Sequence, residues 1–274
     1  MKIHLYKYHG AGNDFLLLDN RRGETALTRE QIVALCNRRL GIGADGLMTL
    51  ESWDDGDFAM HYYNSDGLDG PMCGNGGRCI SALFSSLSPG HGSPLRFKAI
   101  DGIHTSEILE GAGEAPRSGL TMQVKLKMCD ITAPDGASPI TEFRDGYAID
   151  TGCPHFVVFC SDLEGCPVDT LGRQIRHERR FFPKGTNVDF VERCGDGLRM
   201  RTYEKGVEAE TLSCGTGAIA SALVAFHCGK GGESCSVSTP GGVLKVEFTP
   251  CGGGFSDICL TGPATMVFET WVEI

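Results

Sequence analysis

One short pattern occurs twice in this chain, and its spacing limits what the chain can fold into. "MCGNGGRC" (72–79) and "LSCGTGAIA" (212–220) each set a cysteine directly before a glycine-rich turn, with Cys73 and Cys214 lying 141 positions apart. The correspondence extends outward from the cysteines. Asp14-Phe15 and His155-Phe156 precede them by the same interval, and "YYN" (62–64) lies against "TYE" (202–204). "GIGADG" (41–46) answers "PKGTNV" (183–188), and downstream Gly102 and Gly242 follow their cysteines by 29 and 28 residues. Insertions would scramble such spacing unless both halves shared one plan, so the sequence predicts two domains built alike. Length agrees, because 274 residues exceed the usual size of one domain and each half can bury its own core.

Local patterns give the halves the same kinds of element. Strand signals fall at 3–8, 14–19, 58–63, 95–100 and 104–109, and again at 121–128, 155–160, 188–193, 197–204, 234–239 and 243–248. Helical patterns cover 28–39, opened by Thr28 as N-cap, then 75–86 and 215–228. Strands interleaved with helices make the fold class mixed α/β (α+β).

Composition narrows the partners. Hydrophobic residues at 41% and charged residues at 22% describe a globular chain, not a disordered one. A formal net charge of −10 argues against nucleic acid or an acidic membrane as the main partner, since both require clustered Lys and Arg. "NRRL" (37–40) and "RQIRHERR" (173–180) are short and read as solvated faces or loops. The sequence runs from Met1 directly into an alternating pattern, and no apolar stretch nears the roughly 20 residues a bilayer span requires, so a cytoplasmic location is expected.

Thirteen cysteines form an odd count in a chain too long for a small secreted scaffold, which disfavours a disulfide framework. No Cys-x-x-Cys pair is present and no His follows at finger spacing, so no metal site is expected. Cys36, Cys129, Cys160 and Cys228 sit among apolar neighbours and read as small core residues. Cys73 and Cys214 differ from these. A glycine turn opening a helix presents unpaired backbone N–H groups, a seat for an anion. A thiol at that positive end loses its proton more readily and becomes a better base or nucleophile. A pseudo-two-fold pair of domains would bring two such helix ends, each with one cysteine, to face each other across a cleft. The competing account is a pair of buried structural cysteines in a duplicated scaffold.

Six segments together, "KYHGAGNDF" (7–15), "GIGADGL" (41–47), "YYNSDG" (62–67), "MCGNGGRC" (72–79), "GTNVDFV" (185–191) and "ETLSCGTGA" (210–218), resemble the diaminopimelate epimerase family in order and span most of the chain. The resemblance implies two similar domains, each a barrel-like mixed or antiparallel sheet around a central helix. It places them at 1–117 and 118–263, with 264–274 returning to the first domain as a strand. It also implies a reaction: inversion of one α-carbon of 2,6-diaminopimelate, LL to meso, in the synthesis of lysine and peptidoglycan precursors, with no cofactor and no metal. Cys73 and Cys214 then become the two acid/base residues, one removing the α-proton and the other delivering a proton to the opposite face.

Other roles follow by matched position. The resemblance makes His155 and Glu204 polar partners of the cysteines. It makes Asn13, Asn64, Asn187, Gly74, Asn75, Gly215, Thr216, Glu204 and Lys205 substrate-binding, with Gly46 and Cys153 as further contacts. The implied partners are a small amino-acid substrate and, by resemblance alone, a second copy of the chain in a homodimer. Two positions depart from the family's usual pattern. Cys153 stands in "GCPH" (152–155) where relatives carry Asn, and Lys205 stands in "EKG" (204–206) where they carry Arg. Lysine keeps the charge but lacks the planar fork that grips a carboxylate with two bonds. Two other functions therefore stay open: a related racemase of the proline or histidine type, and a non-catalytic module that binds a small anion or metal.

Overall fold

The computed structural model describes residues 2–133, 137–143 and 145–274. The chain divides into two units, Met1–Leu126 with Gly262–Ile274, and Lys127–Thr261. The first contains β1 (Lys2–Gly10), β2 (Asn13–Asp19), α1 (Arg29–Cys36), β3 (Gly46–Glu51), β4 (Phe58–Asn64), α2 (Gly74–Leu87), β5 (Leu95–Ala99), β6 (Gly102–Glu110) and β7 (Thr121–Lys127). The second contains β8 (Ile131–Thr132), β9 (Thr141–Phe143), β10 (Gly146–Asp150), β11 (Pro154–Phe159), α3 (Val168–Arg176), β12 (Asn187–Cys194), β13 (Gly197–Glu204), β14 (Ala209–Thr211), α4 (Gly215–His227), β15 (Ser234–Thr239) and β16 (Gly242–Cys251). A last long strand, β17 (Gly254–Glu273), begins in the second unit and ends in the first.

In the first unit the ladders run β1–β2–β3–β4–β5–β6–β7 and return through β17 to β1, closing an eight-strand barrel. Closure leaves no unpaired edge. Only β2/β3 and β4/β5 are parallel. Parallel neighbours need a long crossover, and these two crossovers carry α1 and α2. The second unit repeats the plan through β10–β11–β12–β13–β15–β16–β17. Again only two pairs are parallel, β11/β12 and β13/β15, with α3 and α4 in the crossovers.

Sequence explains the two kinds of helix. Helix α1 starts at a capping box, in which the Thr28 hydroxyl accepts from the Gln31 N–H and the Gln31 side chain accepts from the Thr28 N–H. It buries one face, Ile32, Leu35 and Cys36, against Leu16, Leu18 and Leu47. Helix α3 does the same in the second unit, seating Val168 with Phe156, Val188, Phe190 and Tyr203. Helices α2 and α4 are central. Residues 75–86 and 217–225 are buried without a break, so these helices are small or apolar nearly all round, with Asn75 and Arg78 as the large polar exceptions in α2. Each large aliphatic side chain held there, such as Leu83 or Leu223, contributes about 1.5–3 kcal/mol.

The structure departs from the sequence expectations at several points. Residues 118–126 belong with the first unit, because β7 pairs with β6 on one side and with Gly262–Thr265 of β17 on the other. Strands β3 and β10 and helix α3 were not expected. The start of "RQIRHERR" lies in α3, whose Arg176 pairs with Glu208. Cys129 is exposed rather than a core residue. Among the described residues no helix is long and apolar enough to cross a membrane.

Candidate active site

The two parallel ladders fix which residues answer one another. Phe15 stands opposite Gly46 and His155 opposite Asn187, so His155 corresponds to Phe15, one place on from the sequence alignment. Gly46 pairs with Asn64, and the β12/β13 register sets Asn187 against Glu204. Counted from these pairs, Asn13 answers Cys153, Gly46 answers Asn187, Met48 answers Asp189 and Asn64 answers Glu204. Thus nearly every residue marked by the resemblance lies at a strand end or helix start, in matched pairs.

In the first unit Cys73 is the N-cap of α2, with extended backbone and no side-chain cap bond. Ser, Thr, Asp or Asn would cap the helix better, so a thiol here gives up cap stability. The N–H groups of Gly74, Asn75 and Gly76 head the helix, and the first intrahelical bond runs from Gly77 N–H to the Cys73 carbonyl at 2.7 Å. Cys73 Sγ lies 3.6 Å from Asn13 Oδ1, which also accepts from Asn75 Nδ2 at 3.1 Å. Asn75 Oδ1 in turn accepts from Arg78 Nη2 at 2.8 Å. Arg78 is fully buried, and its Nε and Nη1 have no hydrogen-bond partner among the described residues. Burial lowers the guanidinium below its ordinary value, opposed by the charges of Cys79 and Cys73. Gly10 allows this packing, since a Cβ there would lie 2.9 Å from the Asn75 carbonyl.

Asn64 ends β4 in its own turn, its N–H donating to Leu68 O and its carbonyl accepting from Gly67 N–H. A neighbouring charged cluster sets the β2 and β3 starts. Asp14 takes Lys7 Nζ at 2.5 Å and Arg38 Nη2 at 2.6 Å, and Arg38 also reaches Asp45, which accepts from Asn13 Nδ2 at 2.7 Å. Burial works to raise the Asp14 carboxyl, but Arg38 and Lys7 together hold it down at about 2. These partners orient Asn13 from behind.

In the second unit Cys214 caps α4 in the same extended conformation, again without a side-chain cap bond, and Ala218 N–H donates to its carbonyl at 3.0 Å. Burial, then the charges of Glu204 and Asp189, raise the Cys214 thiol well above its ordinary value. Thr216 Oγ1 lies 3.4 Å from Cys214 Sγ, 3.3 Å from Cys153 Sγ and 2.9 Å from His155 Nε2. His155 and Asp189 are buried, with Nδ1 to Oδ2 at 2.7 Å. Asp189 Oδ1 accepts from Thr202 Oγ1 at 2.7 Å. Burial alone would lower His155, but the Asp189 charge and hydrogen bond raise it to about 10. Asn187 donates through Nδ2 to Cys153 Sγ at 3.4 Å and accepts from the Lys205 N–H at 2.8 Å. Lys205 therefore enters this network through its backbone.

The second unit brings together Cys153, His155, Asn187, Thr216 and Cys214, and the first brings together Asn13, Cys73 and Asn75. Sequence reasoning missed Asp189, Thr202 and Arg78. Asp189 carried a signal, a carboxylate between Val188 and Phe190 in an apolar strand, where an unpaired charge would be costly. Gly217 and Gly76 make room at matched places: a Cβ would lie 2.4 Å from Asp189 Oδ1 at the former and 1.9 Å from Met48 Cε at the latter.

Comparison with known proteins places this geometry. Solved structures share the fold over nearly the whole chain. A phenazine biosynthesis protein of the PhzF family from Bacillus anthracis matches with a TM-score of 0.68 at 16% identity over 100% of both chains. A probable proline racemase from Agrobacterium radiobacter K84 matches at 0.65 and 14%, covering 99% of this chain and 92% of that one. Sequence relatives are far nearer. The diaminopimelate epimerase of Chlorobaculum tepidum is 42% identical over 97% of this chain and 99% of its own length. That of Archaeoglobus fulgidus is 37% identical over 98% and 96%. The family model described as diaminopimelate epimerase matches residues 5–114 and 147–267, which contain both cysteine-capped helices and the strand ends around them. By these matches the chain belongs to the diaminopimelate epimerase family.

Proposed function

We propose that this protein inverts one α-carbon of 2,6-diaminopimelate, interconverting the LL and meso forms in the synthesis of lysine and peptidoglycan precursors. The observation that carries the reading is the duplicated motif itself: two cysteines at matched N-caps, each spared from capping its own helix. Inversion needs two proton-transfer groups on opposite faces of one carbon, since a single base favours return to the same face. The reading assigns these roles to Cys73 and Cys214.

The α-proton of an amino acid is a weak acid, and its removal places charge on the adjacent carboxylate. Preorganised donors aimed at that charge lower the barrier most. In this reading the N–H groups at 74–76 and 215–217 supply them, aided by the positive ends of α2 and α4. Cys214, whose thiol is held protonated by burial and by Glu204 and Asp189, is suited to deliver a proton. Cys73 is then the base in the same direction, and reversal exchanges the roles. Asn13, Asn64, Asn75 and Asn187 offer both donors and acceptors to ammonium and carboxylate groups. Glu204, Lys205, Gly46 and Cys153 complete the assignment by matched position. The chemistry uses side chains and backbone alone, the reading places the enzyme in the cytoplasm, and a homodimer is its expected assembly.

Incubation with LL-diaminopimelate in deuterated water, with no added cofactor, tests this. The expected product is the meso isomer carrying deuterium at the inverted carbon. Strong preference for a monocarboxylate substrate such as proline would replace the reading with the racemase alternative. Absence of exchange into any amino acid, together with tight binding of phosphate or zinc, would favour the binding-module alternative.

A further inference from the structure

The second unit holds a nucleophile that the epimerisation chemistry leaves unused. Cys153 Sγ lies 3.2 Å from His155 Nε2, whose Nδ1 is 2.7 Å from Asp189 Oδ2, and Asp189 is fixed from behind by Thr202. Asp189 and His155 have no side-chain exposure, so the carboxylate requires a countercharge and the imidazole is its ion-pair partner. A doubly protonated imidazole has Nδ1–H for Asp189 and Nε2–H for Cys153. The sulfur also receives Asn187 Nδ2 at 3.4 Å and the Thr216 hydroxyl at 3.3 Å. This nucleophile, base and orienting carboxylate arrangement is how proteins generate a reactive thiolate.

We propose that Cys153, His155 and Asp189 form a nucleophilic thiolate site, open to covalent modification by soft electrophiles and hydroperoxides. It rests on the geometry of the second unit alone and does not depend on the epimerase reading. The groups facing the sulfur are His155 two residues on in β11, Asn187 and Asp189 on β12, and Thr216 and Cys214 at the head of α4, with the Glu204 charge felt at Cys214. Burial raises the Cys153 thiol, but the His155 bond and charge and the Thr216 hydroxyl outweigh it and leave the group below its ordinary value. Its counterpart at the other helix head is Asn13, an amide, so the first unit has no nucleophile at that place.

With a hydroperoxide the thiolate attacks one peroxide oxygen and a sulfur–oxygen bond forms as the oxygen–oxygen bond breaks. The departing alkoxide or hydroxide takes the Nε2 proton of His155. Sulfur is oxidised by two electrons to the sulfenic acid, and the peroxide is reduced to alcohol or water. With iodoacetamide the same sulfur displaces iodide.

Per-cysteine alkylation by iodoacetamide, read by peptide mass spectrometry on the full-length protein from pH 4.5 to 9, tests the site. An ordinary thiol is only about 0.3% ionised at pH 6, and the gain from full ionisation is partly offset by lower intrinsic nucleophilicity, leaving roughly tenfold. Cys153 is therefore expected to react at least about tenfold faster at pH 6 than the exposed Cys129, Cys194 and Cys251. After a hydrogen peroxide pulse, dimedone is expected on Cys153 ahead of those three. In His155→Gln the Cys153 rate should rise with pH around the ordinary thiol value. Thiolate absorbance at 240 nm covers the case in which that variant fails to fold: at pH 6 the wild type should exceed Cys153→Ser by about one thiolate. Equal or slower alkylation of Cys153 at pH 6, dimedone on the exposed thiols first, or no absorbance difference would each overturn the proposal.

Discussion

The heads of α2 and α4 occupy matched places in two copies of one topology, yet they are supported in opposite ways. Behind Cys73 lies a chain of amides, Asn13 and Asn75, ending on Arg78, a buried cation with two nitrogens, Nε and Nη1, unmatched among the described residues. Behind Cys214 lies a charged and fully partnered network, Thr216, His155, Asp189 and Thr202. Duplication preserved the backbone geometry that creates a thiol at a helix head, while the side chains behind it diverged. Behind the second head, burial and then the charges of Glu204 and Asp189 favour a thiol at Cys214.

Breaking the paired network should have the largest effect on stability. Asp189→Asn leaves His155 buried without its carboxylate, and losing one member of such a pair costs about 3–5 kcal/mol. Urea denaturation at pH 7 checks this. The pH dependence has a defined sign. His155 is raised to about 10 in the folded state, so its contribution is complete below the unfolded value of roughly 6.5 and is lost as pH rises through about 10. The wild type should therefore lose stability between those limits by more than Asp189→Asn does. Parallel curves would show that the pair is not ionic.

A smaller effect separates the two matched glycines. Gly217→Ala drives a methyl against Asp189 Oδ1, in a carboxylate that Thr202 and His155 hold in place, and should cost about 1–3 kcal/mol. Gly76→Ala meets the end of the Met48 side chain, which can swing, and should cost less than about 1 kcal/mol. Melting temperatures of the two variants make the comparison, and a reversed order would contradict this view of the supporting shells. The smallest change is expected from Arg78→Met. Removing a buried, incompletely bonded cation should alter stability by no more than about 1 kcal/mol while lowering turnover through loss of the Asn75 contact. A drop of several kcal/mol would mean that Arg78 has stronger support than its one side-chain bond among the described residues provides.

Much of this arrangement was legible in the sequence because it is written in local chemistry. Thr28 and Gln31 announce α1, and the Cys-Gly-x-Gly turns announce α2 and α4 with the residues heading them. Helix α3 escaped because its arginines and single deeply seated Val168 give it a short, highly charged pattern that reads as solvent-facing. Strand β3 escaped because "GLMTLE" is a brief apolar run, buried on both faces and without the alternation that marks a half-exposed strand. Asp189 showed only as a carboxylate in an apolar strand, and Arg78 gave no local signal. Their partners come from other elements, and a buried charge can be identified only when the ladder shows what faces it.

The proton-transfer assignment is tested most directly by Cys73→Ser and Cys214→Ser, each assayed with LL-diaminopimelate in deuterated water for inversion and α-deuterium. A serine hydroxyl keeps the shape but is far too weak an acid to carry the proton at neutral pH, so each variant should lose inversion by at least about a thousandfold while remaining folded. Full turnover in either one would show that the sulfur at that helix head does not move the proton.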